Sequence, residues 1–81
     1  MTMEFEGRTA LVTGAARGLG LTTTKLLLER GGSVIMADVD SDAVMSSAKS
    51  LEAEGYRVYP VAVDLAREEE VSALATAVEN F

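Results

Sequence analysis

Neither cysteine nor histidine occurs in the 81 residues, which excludes disulfides, thiolate metal sites and imidazole acid–base chemistry from the outset. Basic residues are few: seven Lys and Arg face thirteen Asp and Glu, for a net charge of −6. That balance disfavours nucleic acid as a partner, and no basic stripe stands out. The opening residues Met1 to Glu6 have neither the basic flank nor the apolar run of a signal peptide. No apolar run is long enough to span a bilayer, so a cytoplasmic protein that avoids membranes is the expectation. Low-complexity stretches and internal linkers are also missing. Proline occurs once, at position 60.

What is present is an ordinary globular composition, 48% apolar. A chain of this length buries roughly 60–65% of its surface on folding, so it forms one small domain or part of a larger one. Strand and helix signals alternate. Arg8 to Thr13 is a short buried strand. Leu19 to Arg30 has a helical stripe at Leu19, Thr23, Leu26, Leu27 and Arg30, stopped by Gly31-Gly32. A second strand covers Ser33 to Ala37. The next helix, capped by Asp40 or Ser41, runs to about Glu54 with Val44, Ala48 and Leu51 on one face, and Gly55 closes it. Arg57 to Val63 is a third strand, its Pro60 suited to an edge or a strand end. The last helix runs from about Arg67 to Asn80, with Val71, Leu74, Ala75 and Val78 at helical spacing and three glutamates in its first turn.

This β-α-β-α-β-α order predicts a parallel sheet with right-handed crossovers and strand order 3-2-1. The first strand would then be a bare apolar edge, which proteins seldom leave open. Residues 1–81 are therefore expected to form half of a doubly wound α/β domain.

Three features converge on the carboxyl edge of that sheet, where open α/β sheets bind ligands. Thr13-Gly14-Ala15-Ala16-Arg17-Gly18-Leu19-Gly20 is a glycine loop between strand and helix. Glycines there let backbone approach a phosphate, and the helix N-terminus favours its charge. Asp38 ends the second strand, 18 residues after Gly20, where a carboxylate can accept both adenosine ribose hydroxyls. Asp64-Leu65 follows the third strand.

The spacing Thr13-Gly14-x-x-x-Gly18-x-Gly20 resembles the signature of the short-chain dehydrogenase/reductase family. Gly7-Arg8-x-x-Leu11-Val12, Asp38 and Asp64-Leu65 extend the resemblance over essentially the whole chain. It implies the amino-terminal, dinucleotide-binding half of a Rossmann-type domain. By that resemblance Gly14 makes the tight turn, Gly18 admits the pyrophosphate and Gly20 allows close packing near the nicotinamide side. Thr13 would pin the loop through its hydroxyl. Leu19 would offer its amide to the ligand and its side chain to the core. Asp64 would accept from the adenine amino group with the Leu65 backbone facing the ring; the rival role for Asp64 is a cap for the third helix. Ala66 departs from the Ser or Thr usual in the family, and Thr22-Thr23-Thr24 from its alanine-rich helix start.

The charges choose between cofactors. Two unit charges about 4 Å apart near a surface repel by about 4 kcal/mol, so Asp38 disfavours a 2′-phosphate and NAD is expected over NADP. Arg17 argues the other way, because family members preferring NADP often carry a basic residue there; Val39 adds no positive charge.

The family's chemistry also requires a Tyr-x-x-x-Lys pair with a serine and an asparagine. Tyr56 is followed four residues on by Pro60 and Tyr59 by Val63, so neither fits. Residues 1–81 alone are expected to catalyse no hydride transfer, and to supply NAD binding to an oxidoreductase acting on an alcohol or carbonyl. The alternative is a non-catalytic module for dinucleotide sensing or partner pairing. Self-association, or pairing with a carboxy-terminal half, would cover the bare strand. A methyl-donor-binding transferase fits less well, since its glycine loop usually follows an acidic residue.

Overall fold

Val34, Ile35, Met36 and Ala37 are all buried, and this continuous apolar run forms the central strand of a parallel sheet. The computed structural model describes residues 5–80. Strand β1 spans Thr9–Thr13, β2 Ser33–Asp38 and β3 Val58–Ala62; helices α1, α2 and α3 span Gly18–Glu29, Ser41–Ala53 and Glu68–Asn80. Parallel pairing sets Thr9 beside Ser33 and Thr13 beside Ala37, and on the other side Val34 beside Val58 and Asp38 beside Ala62. Pro60 lies in β3, which among the described residues has one strand neighbour.

The winding corrects the expectation of a partial doubly wound sheet with order 3-2-1. The strands follow one another sequentially, β1-β2-β3, each hydrogen-bonded to the next. No described strand returns beside β1, and double winding requires that reversal. The physical reason is that each short crossover delivers the next strand to the adjacent position.

Alternate residues of β2 face two layers. Val34 and Met36 pack with Leu28 of α1 and with Val44, Ala48 and Leu51 of α2. Ile35 and Ala37 pack with Val63 and with Leu74 of α3 on the other face. The predicted α2 stripe is therefore the buried one.

The α1 stripe is not, apart from Leu27, which is partly buried against the first of these layers. Thr24 and Leu28 are its buried residues, while Leu19 is 81% exposed and Leu26 49% exposed. Helix rotation is set at Gly20, where an added Cβ would stand 2.0 Å from the Gly14 carbonyl oxygen. That contact turns Gly20 and Thr24 inward and Leu19 out. In α3, Leu74 is buried but Val71 is 42% exposed, and the Val78 side chain lies outside those described.

Both of the first two helices end in the same hydrogen-bonded stop. Gly31 and Gly32 donate to Leu28 and Leu27 carbonyls, and Gly55 and Tyr56 donate to those of Glu52 and Leu51. The chain thus leaves each helix at a fixed angle and enters the next strand, which brings all three strand ends to one rim.

Candidate functional site

The glycine loop hangs between the ends of β1 and β2. Its Ala15 amide donates to the Ala37 carbonyl at 3.1 Å, continuing the ladder beyond Thr13. Ala15 and Ala16 are themselves buried, a pair of small side chains on which the loop rests. From there Gly14 and Gly18 adopt φ of +61° and +58°, with nothing within 4 Å of where a Cβ would be. These are left-handed conformations that favour glycine, facing open space into which a ligand can approach.

The loop feeds the N-terminus of α1 without a side-chain cap and without an acidic residue in the first turn. The other two helices differ: α2 carries the Asp40 cap and Asp42, and α3 carries Glu68, Glu69 and Glu70. The positive end of the α1 dipole and its unpaired amides are thus left for an anion from outside.

Asp38 stands at this loop. Its Oδ2 accepts from the Ala16 amide at 3.0 Å and its Oδ1 from the Asp40 amide at 3.1 Å. Those two main-chain bonds hold the carboxyl below its ordinary range, Asp40 contributing most and partial burial opposing. Each carboxylate oxygen can accept more than one hydrogen bond, so acceptor capacity remains for hydroxyl groups of a ligand. Asp40 is likewise held low, first by the Ala43 amide that it caps at 3.0 Å and then by Arg17.

A cleft of about 290 Å³ opens at this rim, lined by Thr13, Gly14, Ala37, Asp38, Val39, Val63 and Leu65. Of the residues singled out from sequence, it brings together Thr13, Gly14, Asp38, Val39 and Leu65. Asp64 falls between two lining residues, and Arg17, Gly18, Leu19 and Gly20 stand at the loop and the start of α1. The expected burial of the Leu19 side chain is corrected by its exposure, although its place in the first turn of α1 stands. The Asp64 carboxylate does not cap α3, which starts four residues later at Glu68. Its Oδ1 accepts from Ala66 at 3.0 Å in a local turn, while Glu70 reaches back to the Asp64 amide at 2.9 Å.

Sequence reasoning missed three supports. Ser47 of α2 donates to the Ala16 carbonyl at 2.7 Å, so Ala16 is fixed through both its amide and its carbonyl. Ser47 lies one turn from Val44 and Leu51 on the inward face, which was its only signal. Thr24 is fully buried and donates to the Gly20 carbonyl at 2.9 Å, satisfying the hydroxyl that departs from an alanine-rich helix. Arg17 Nη2 meets Asp40 Oδ2 at 2.7 Å, joining the mouths of α1 and α2.

The family model described as short chain dehydrogenase matches residues 8–81. A 1-deoxy-11-beta-hydroxypentalenate dehydrogenase of Streptomyces exfoliatus is 44% identical over 73 residues, 90% of this chain and 26% of its own length. A crystal structure of a short chain dehydrogenase/reductase from Burkholderia phymatum in complex with NAD superposes with TM-score 0.86 at 35% identity, over 91% of this chain and 26% of that one. L-sorbose reductase from Gluconobacter frateurii, complexed with NADPH and L-sorbose, gives TM-score 0.91 at 32% identity over 99% of this chain and 31% of that one. The chain spans about a quarter of the length of the curated relatives it matches.

Proposed function

The chain belongs to the short-chain dehydrogenase family, and from that premise we propose that residues 1–81 are its dinucleotide-binding half domain, with NAD as the cofactor. The observation that carries the reading is the 3.0 Å bond from the Ala16 amide to Asp38. It sets a ribose-gripping carboxylate against the loop that presents main-chain amides to a diphosphate. Gly14, Gly18, Leu19 and Gly20 form that cradle with the uncapped start of α1. Val39 and Leu65 flank the adenosine, and Asp64 lies at the adenine end.

A dinucleotide seated here would supply hydride chemistry for an alcohol or carbonyl substrate. What these residues contribute is binding and orientation: amides oppose the diphosphate charge, and Asp38 fixes the sugar. The two solved neighbours hold different dinucleotides, so the preference for NAD rests on this chain's own charges. A carboxylate bonded to the phosphate loop repels a 2′-phosphate while accepting two hydroxyls.

Calorimetric titration with NAD and NADP tests the reading. NAD should bind more tightly, and Asp38→Ser should erase the difference. Equal or tighter NADP binding by the unmodified chain would overturn the assignment of Asp38. The reading also includes a covering partner for β1 and the outer face of α1, from further chain or a second copy. Leu11, Leu19 and Leu26 are the exposed apolar residues that support it.

A further inference from the structure

We propose that Asp40 tunes the choice of dinucleotide by holding Arg17 away from the position of a 2′-phosphate, an inference that rests on the crevice reading above. Asp40 makes three contacts at once. Its amide donates to Asp38 Oδ1 at 3.1 Å, its Oδ1 caps α2 through the Ala43 amide, and its Oδ2 takes the Arg17 guanidinium at 2.7 Å. Asp38 in turn bonds Ala16, the residue before Arg17. The four residues 16, 17, 38 and 40 therefore close a ring around the carboxylate assigned to the ribose.

The ring carries two carboxylates and one guanidinium. Arg17 has the planar fork of donors that suits a phosphate, and it sits at the start of α1. Engaged with Asp40, its charge is already partnered, and the ring presents a net negative charge to the adenosine sugar. Released, the same guanidinium would offset Asp38 and accept a phosphate. Asp40 thus turns an arginine that sequence reasoning weighs toward NADP into part of a site that favours NAD. The pair is exposed, 70% at Arg17 and 46% at Asp40, so its release shifts binding modestly and in a salt-dependent way.

Asp40→Asn and Asp40→Ser separate this role from the helix cap, because asparagine and serine both cap well. In the full chain, titrated with NAD and NADP, each should raise the NADP-to-NAD affinity ratio about two- to five-fold, the factor that a surface ion pair provides. The gain should shrink at about 0.5 M salt and vanish when Arg17 is also changed to alanine. Arg17→Ala alone should not raise the ratio: it leaves Asp40 unpaired and the ring more negative, so the change is a modest fall. An unchanged ratio in the folded Asp40 variants, or the same gain without Arg17, overturns the inference; so does a rise in the ratio with Arg17→Ala alone. Asp38→Ser distinguishes it from the parent reading. If Asp38→Ser moves the ratio and Asp40→Asn does not, this inference falls and the NAD reading stands. The opposite pattern removes Asp38 from its role and with it the reading on which this inference rests. A chain that binds neither dinucleotide overturns both.

Discussion

At Asp38 two main-chain amides converge on one carboxylate, and at Asp40 an amide and a guanidinium do the same. Both acids titrate lower in the fold than in the unfolded chain, and the sign of the pH dependence follows. Their contribution to stability is complete above the unfolded carboxylate value of about 3.9 and is lost as pH falls through the lower folded values. Urea midpoints should therefore hold steady from neutral pH to about pH 5 and drop below about pH 4. The gap between the unmodified chain and Asp38→Asn should close over that acid range. A gap that widened on acidification would contradict the assignment of these bonds. Gly20 marks the tightest approach. A Cβ there would stand 2.0 Å from a backbone oxygen, so Gly20→Ala must push α1 off the loop. Overpacking of this kind costs about 1–3 kcal/mol, more than alanine's gain in helix propensity of about 1 kcal/mol returns at the upper end. A lowered melting temperature with weakened NAD binding is the expected result; an unchanged melting curve would show that the helix shifts freely.

Among the elements, α2 serves the site although it supplies none of the cleft's lining. Ser47 fixes the Ala16 carbonyl while Asp40 fixes Asp38 and Arg17, so one helix positions the loop from behind. Ser47→Ala removes the first of these and should cost about 0.5–1.5 kcal/mol in denaturant unfolding. NAD affinity should fall with it, because the amide of the same residue holds Asp38. Loss of stability with full affinity would make Ser47 a packing residue only. The α2 face was legible beforehand because Val44, Ala48 and Leu51 are the apolar residues at one spacing. In α1, the run Leu26-Leu27-Leu28 surrounds more than half a turn and gives no single direction. Periodicity there pointed to Leu19 and Leu26, and the Gly20 contact with Gly14 chose Thr24 and Leu28. Asp64 shows the same limit: a cap and a ligand acceptor look alike in sequence, and in the fold its Oδ1 accepts from the Ala66 amide in a local turn.

For the molecule as a whole, the sheet is packed on both faces: among the described residues, nine buried ones join on the α1 and α2 face, and Ile35, Ala37, Val63 and Leu74 join on the α3 face. Leu11, paired in register with Ile35, stays 45% exposed on the α3 face. Leu19 and Leu26 add an apolar surface on the outside of α1. Sedimentation of the 81-residue chain should therefore show self-association or a folded state of low stability. A monodisperse, stable monomer would sink the proposed covering of these surfaces.

Strand and helix order, the glycine loop and the acid at the end of β2 were all determined by the sequence. They depend on local backbone preference and on spacing along the chain, which a linear pattern records. The rotation of α1, the sequential winding of the sheet and the ring through Asp40 were decided only by tertiary structure. The winding depends on which strand lies beside which, and the ring on bonds between residues more than twenty apart; the rotation of α1 depends on the close backbone approach of Gly20 to Gly14, which apolar periodicity does not record.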